Sequence, residues 1–96
     1  MLLVFTIDVE EEGLFSGKYN AENVTTRNIP KLTLLDGIFK RWNIKPTLLV
    51  TYPVVSEKEH HDFLLSKTQD WNGELGAHLH HWNTPPFIQL SYKSPV

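Results

Sequence analysis

Two groups of ionisable side chains in this sequence have the residue types that hold transition metals. An acid pair closes an apolar run near the start of the chain and a histidine cluster stands near position 80: Asp8 and Glu10, and His78, His80 and His81. Two imidazoles and a carboxylate, with a position left for water, make up a catalytic zinc-type site. The sequence has no cysteine, so thiolate ligands and disulfides are excluded. A transition metal here must be held by His, Asp or Glu.

Three apolar segments are predicted to be the strands that position these side chains. Residues 2–8 form a continuous apolar run, which is typical of a strand buried on both faces. The second strand is predicted over residues 47–52 and the third over residues 74–80. The acid pair and the histidine cluster then lie at the ends of the first and third strands.

Two helices are predicted between the strands. Residues 30–42 place apolar side chains three and four positions apart, as an amphipathic helix does. The second helix is predicted over residues 56–70, opened by a capping box of Ser56 and Glu59. The order strand, helix, strand, helix, strand indicates an α/β fold with a parallel sheet and right-handed crossovers.

The strand geometry predicts which side chains meet. Ligands of parallel α/β folds bind at the carboxyl ends of the strands, and the first and third strands lie roughly 10 Å apart if the second separates them. Residues i and i+2 of a strand point the same way, so Asp8 points with Glu10, and His78 with His80, while His81 points away. The alternative is that the histidines bond to loop backbone and the acids cap turns.

Composition limits the other possibilities. The chain has 96 residues, a formal net charge of −2, 41% hydrophobic residues and 21% charged residues, which is typical of one folded domain. The absence of a basic cluster argues against nucleic acid as a partner. No apolar run approaches the roughly 20 residues of a membrane span. The opening segment lacks the features of a signal peptide, so we expect a cytoplasmic protein.

Three segments resemble a known family, the NodB-type polysaccharide deacetylases (carbohydrate esterase family 4). Residues 5–11 (FTIDVEE) are similar to the first motif of that family, residues 44–50 (IKPTLLV) to its second strand, and residues 74–82 (ELGAHLHHW) to its histidine motif. The segments match in order over residues 2–86. The resemblance implies that residues 1–96 are a partial NodB homology domain, the N-terminal βαβαβ part of a distorted, TIM-barrel-like (β/α)7 barrel.

The resemblance also implies an activity and a cofactor. The family removes acetyl groups from N-acetylated or O-acetylated sugars with a divalent metal, for which zinc is the expected ion here. Asp8 matches the acid that acts as general base. The common motif has its metal-binding Asp at the next position, where this chain has Val9, so the role passes to Glu10, one residue later.

The histidine motif departs from the family pattern as well. His78 matches the first metal histidine. The second normally follows four residues later, where this chain has Trp82. Strand parity makes His80 the better substitute and His81 the weaker one.

Other features have a structural interpretation. His60 and His61 are predicted to lie on a solvated helix face, and Glu11 and Glu12 to belong to a solvated charge run. Two tryptophans at helix ends are expected to be packing residues: Trp42 and Trp71.

Two further hypotheses compete with a carbohydrate deacetylase acting on an acetylated sugar. The chain can be a non-catalytic, truncated α/β fragment that self-associates as a homo-oligomer through its open sheet edge, or that pairs with a C-terminal half. It can also be a metal-dependent hydrolase of another substrate, such as a phosphoester. Turnover by this chain alone is not expected if the rest of a barrel is required.

Overall fold

The computed structural model describes residues 2–13 and 25–86, and in them a three-stranded parallel sheet. The strands are β1 (Thr6–Val9), β2 (Thr47–Val50) and β3 (Glu74–Ala77), in the order β1-β2-β3. Each strand starts level with its neighbour, since Thr6 pairs with Thr47 and Thr47 with Glu74. The predicted parallel α/β arrangement is confirmed, with β2 between the two strands that lead to the acids and the histidines.

The described part of the first crossover, residues 25–46, contains a 3₁₀-helix followed by an α-helix. A 3₁₀-helix covers Ile29–Leu35 and continues directly into α1 (Asp36–Arg41). Together they take the place of the single helix predicted over residues 30–42. A 3₁₀ turn is a frequent start for an α-helix, and the proline at the first turn fits there because it lacks the N–H that such a turn leaves free.

The second crossover contains two helices, α2 (Tyr52–Val55) and α3 (Lys58–Trp71). The predicted capping box is wrong. Ser56 ends α2, and its hydroxyl donates to the carbonyl of Pro53 at 3.3 Å, so it does not cap α3. The helix is capped at Asn72, which has the positive φ of 56° that asparagine tolerates.

The core lies between the sheet and the helices. Phe39 and Trp71 meet edge to face with ring centroids 4.8 Å apart. The indole N–H of Trp71 and the ammonium of Lys67 both donate to Asp36, each at 2.8 Å. Trp71 is thus the packing residue that was predicted. The buried apolar residues are Val9, Ile29, Phe39, Leu48, Val50, Val54, Leu64 and Trp71.

Two predictions about apolar residues are wrong. Trp42 is 66% exposed, because it follows the last turn of α1 on the outer side, where the Arg41 guanidinium lies 5.3 Å from its ring centre. The first strand is shorter than predicted and is not buried on both faces. Leu2, Leu3 and Val4 precede it and are exposed, since no element in the described ranges covers them.

A glycine fixes where the third strand begins. A Cβ on Gly73 would lie 2.3 Å from the carbonyl oxygen of Pro46, and that same oxygen accepts the N–H of Glu74 at 3.0 Å. Only a residue without a side chain allows this close approach. Gly73 therefore lets β3 start beside β2. None of the helices in residues 2–13 and 25–86 has the length and apolarity needed to cross a membrane.

Candidate metal centre

The carboxyl ends of the three strands bring the acids and the histidines to one edge of the sheet. The backbone ladder continues past the strands there: the N–H of Thr51 donates to the carbonyl of Val9 at 3.1 Å, and that of His78 to the carbonyl of Val50 at 3.0 Å. Glu10 and His78 each follow the last residue of their strand. The main chain therefore holds both residues at the same level.

Three side chains converge at this edge. Oε2 of Glu10 lies 3.6 Å from Nδ1 of His78 and 3.1 Å from Nε2 of His80. The ligand atoms of these three residues all lie within 4.8 Å of one another, so the group can hold a metal ion. Oδ1 of Asp8 lies 3.9 Å from Nδ1 of His78. The structure thus places together four of the five residues that the sequence singled out.

The donor set fits a cation. Nδ1 of His78 is enclosed by protein and has no hydrogen-bond partner among the described residues, although the Glu10 carboxylate faces it. Ligand atoms about 2.05 Å from a tetrahedral zinc ion lie about 3.3 Å apart. The distances from Glu10 to the two imidazoles, 3.1 and 3.6 Å, lie on either side of that value.

The three converging side chains are less exposed to solvent than the neighbouring side chain of Asp8. The side chains of Glu10, His78 and His80 are 20%, 29% and 11% exposed, whereas that of Asp8 is 55% exposed. Asp8 therefore lies at the mouth of the group, in reach of both solvent and the imidazole of His78.

Trp82 holds the imidazole of His80 in place. The two rings stack with centroids 4.6 Å apart and an angle of 11° between their planes. The His80 ring also meets the ring of His78 in an edge-type contact, with centroids 4.6 Å apart. His81 is exposed, packs edge-on against Trp82 at 5.2 Å, and lies outside the metal-binding group found in the described residues. Of the two histidines that the sequence left open, His80 is the one beside Glu10.

Glu11 was predicted to be solvated, and this prediction is wrong. It is 1% exposed, and its two carboxylate oxygens accept hydrogen bonds from the Thr51 hydroxyl at 2.8 Å and the Asn83 amide at 2.7 Å. Thr51 follows β2, and Asn83 follows the histidine cluster. The side chain of Glu11 therefore points into the protein, whereas that of Glu10 points toward the two imidazoles. The Glu12 carboxylate accepts an exposed hydrogen bond from Thr25 at 3.3 Å.

His60 was expected on a solvated helix face and is in fact buried, at 8% exposed. Its Nε2 lies 2.8 Å from the hydroxyl of Thr26 and 3.2 Å from the carboxylate of Glu57. His60 therefore ties the start of α3 to the segment before the 3₁₀-helix. His61 is exposed, as predicted.

Comparison with protein-family models, with curated proteins and with solved structures finds no match for this chain. What can be said of its function comes from the site and from the motifs that form it.

Proposed function

We propose that this protein is a metal-dependent hydrolase that removes acetyl groups from a polysaccharide or another acetylated sugar. The observation that carries the proposal is the convergence of Glu10, His78 and His80, with Asp8 beside them, at the carboxyl edge of a parallel sheet. The order of the three motifs in the sequence supports the same activity. In this proposal the chain is the N-terminal βαβαβ part of a distorted (β/α)7 barrel.

Three residues would hold the ion, and zinc is the ion proposed. Glu10 supplies a negative charge, while His78 and His80 supply neutral nitrogens through Nδ1 and Nε2, the atoms that face Glu10. A bound divalent cation polarises the acetyl carbonyl and lowers the pKa of water. Three protein ligands leave a tetrahedral position open, as in catalytic rather than structural zinc sites.

Asp8 is proposed as the general base. It is the acid at the mouth of the site, and its carboxylate lies 3.9 Å from Nδ1 of His78 without being one of the three converging ligands. A half-exposed carboxylate in that position can accept a proton from water that enters the site. Glu10, in contrast, is committed to the two imidazoles.

Zinc titration by calorimetry tests the site. We expect the wild-type chain to bind one zinc ion and the His78→Ala, His80→Ala double variant to lose this binding. The His61→Ala variant is the matched control, because His61 is exposed and outside the group. Equal affinity in the double variant and the wild type would contradict the proposal.

Product release tests the reaction. The zinc-loaded protein is incubated with N-acetylated and O-acetylated sugar oligomers and, separately, with a phosphoester. Release of acetate without phosphate supports deacetylation. Release of phosphate alone would replace it with phosphoester hydrolysis, which uses the same cation chemistry. Binding of zinc with no turnover would restrict the proposal to a partial site that needs further polypeptide.

Self-association is a second candidate, favoured by exposed apolar surface at both sheet edges. In the part of the chain that the structure describes, β1 and β3 each pair with β2 alone. Leu75 and Leu79 near the β3 edge are 39% and 72% exposed, and Leu3 before β1 is 73% exposed. Open, apolar edges favour pairing with another chain. A stable monomer in sedimentation velocity at high concentration would exclude this candidate.

A further inference from the structure

We infer that Glu11 is a positioning residue for His80. Its buried carboxylate accepts a hydrogen bond from the N–H at Nδ1 of His80, which leaves Nε2 of that ring as the metal-binding atom. This inference rests on the metal centre proposed above and assigns its outer shell.

The first observation is that the buried carboxyl group of Glu11 is hydrogen-bonded only by uncharged donors in the described residues. Glu11 is 1% exposed, and its hydrogen-bond donors, Thr51 and Asn83, are both neutral. Burial of a carboxylate is costly unless several hydrogen bonds or an opposite charge compensate for it. A protein that keeps an acid here gains from a further donor, and the structure places one beside it.

The second observation is a buried nitrogen that lacks a partner. Nδ1 of His80 is enclosed and makes no hydrogen bond with any described residue, yet Oε1 of Glu11 lies 3.5 Å from it. A carboxylate oxygen has two lone pairs, and the Asn83 amide uses one of those on Oε1. The 3.5 Å separation of Nδ1 and Oε1 is about 0.3 Å longer than the upper end of the usual range for an N–H···O hydrogen bond.

The two ring nitrogens of His80 therefore face two different carboxylates. Nε2 lies 3.1 Å from Glu10 on the side of the site, and Nδ1 lies 3.5 Å from Glu11 on the side of the core. A neutral imidazole carries one proton and one lone pair. With the proton held toward Glu11, the lone pair points to the position that a cation shared with Glu10 and His78 would occupy.

Metal-binding histidines commonly donate their second N–H to a carboxylate, which fixes the ring and raises the basicity of the ligand nitrogen. Trp82 already holds the plane of the His80 ring by stacking. Glu11 would in addition select the His80 tautomer that carries its proton on Nδ1. Removal of such an outer-shell partner typically weakens metal binding by 10- to 100-fold.

The decisive variant is Glu11→Gln, which keeps the shape of the side chain and removes its charge. The Thr51 hydroxyl can accept as well as donate, so the new amide group stays hydrogen-bonded. The glutamine oxygen can still accept from Nδ1 of His80, so this variant measures the effect of the Glu11 charge on the basicity of the ligand nitrogen. Glu12→Gln is the matched control, because Glu12 is the adjacent acid and its hydrogen bond is exposed. Urea unfolding of the metal-free proteins verifies that both variants fold.

Zinc affinity is measured by calorimetry for the full chain. We expect Glu11→Gln to weaken binding about 10- to 100-fold and Glu12→Gln to match the wild type. Equal affinity in Glu11→Gln and the wild type, with zinc bound by the wild type, would overturn this inference and leave the metal centre standing. No zinc binding by the wild type would overturn the metal centre and this inference with it.

A spectroscopic measurement needs no substitution and remains available if Glu11→Gln does not fold. In the zinc-loaded wild type, ¹⁵N-resolved NMR of the histidine rings should find the His80 proton on Nδ1, in slow exchange with water. Because Nδ1 is enclosed by protein, the hydrogen bond to Glu11 is identified by a downfield shift of this proton, which a merely structural Glu11 would not cause. A proton on Nε2 of His80 would contradict the assignment.

Discussion

Two histidines of this protein, His60 and His80, have nearly enclosed side chains and differ in the hydrogen bonds of their ring nitrogens. Their side chains are 10% and 11% exposed, and each lies within 3.2 Å of a glutamate oxygen. Nε2 of His60 also has the hydroxyl of Thr26 at 2.8 Å, whereas Nδ1 of His80 has no hydrogen-bond partner among the described residues. Burial beside an acid therefore does not distinguish a ligand from a structural histidine. Two features distinguish His80 from His60. Nδ1 of His80 lacks a hydrogen-bond partner among the described residues, and the carboxylate beside His80 also faces a second imidazole, that of His78.

The difference follows from where the two residues stand in the fold. His60 lies on α3 and reaches one segment beside it, which suffices for one hydrogen bond. His80 follows β3 at the edge where the chain also leaves β1 and β2, so side chains from several elements meet there. Parallel strands make such convergence common at their carboxyl ends.

Asp8→Asn should give the largest effect, and it separates a base from a ligand within the candidate site. We expect acetate release to fall about 100- to 10,000-fold, the usual contribution of a general base. Zinc affinity should fall by less than the 10- to 100-fold typical of outer-shell partners, because Asp8 is not one of the three converging ligands. Loss of zinc binding in parallel with turnover would make Asp8 a ligand instead.

His80→Ala is expected to give the next largest effect, on metal affinity. Loss of a direct ligand should weaken zinc binding by more than the 10- to 100-fold typical of outer-shell partners. The matched variant is His60→Ala, for which we expect no change in zinc affinity. A similar loss in both variants, measured by calorimetry, would remove the distinction between the two histidines.

His60→Ala should instead reduce the free energy of unfolding, by about 1–3 kcal/mol, because it removes a buried hydrogen-bond partner. His61→Ala, on the exposed side of the same helix, should change it by less than about 0.5 kcal/mol. Urea denaturation of the two variants measures both values. Equal stability of the two variants would show that the Thr26 contact does not hold α3 in place.

The smallest expected effect is on the pH dependence of stability, and it comes from Asp36. This acid lies in the helix layer and accepts hydrogen bonds from Lys67 and Trp71. The hydrogen bond from the Lys67 ammonium lowers the pKa of Asp36, and the indole N–H of Trp71 lowers it further. Because the pKa is lower in the folded protein, the stabilisation is present above the unfolded pKa and is lost as the pH falls through the folded one.

The wild type should therefore lose stability more steeply than the Asp36→Asn variant as the pH falls through the ordinary aspartate pKa of about 3.9 and below it. Urea denaturation at a series of pH values measures the two slopes. Zinc affinity of Asp36→Asn at pH 7 should equal that of the wild type, since Asp36 lies in the helix layer. Parallel slopes for the two proteins would rule out this contribution of Asp36.

The features that depend on local periodicity could be predicted from the sequence. The alternation of strand residues predicted that Asp8 points with Glu10 and His78 with His80, and the order of the elements placed both pairs at one edge. The asparagine that ends α3 was also predictable, because its tolerance of positive φ is a property of the residue itself.

The features that depend on distant partners could not be predicted in this way. Glu11 stands in a run of acids, and its burial requires Thr51 and Asn83, which are far away in the sequence. His60 is buried because Thr26 lies over it. Ser56 has the sequence context of an N-cap for α3, but it ends the preceding helix α2 instead. For Glu11 and His60 a long-range contact overrides the local preference, and for Ser56 the preceding helix does.

The position of β2 between the other two strands has a consequence for folding. Glu10 and His78 lie on either side of a strand that contributes no ligand, and most of the described chain runs between them. A cation shared by them would act as a reversible cross-link that closes a long loop, with an entropic gain that grows with loop length. Chelation would then loosen the outer strands as well as empty the site.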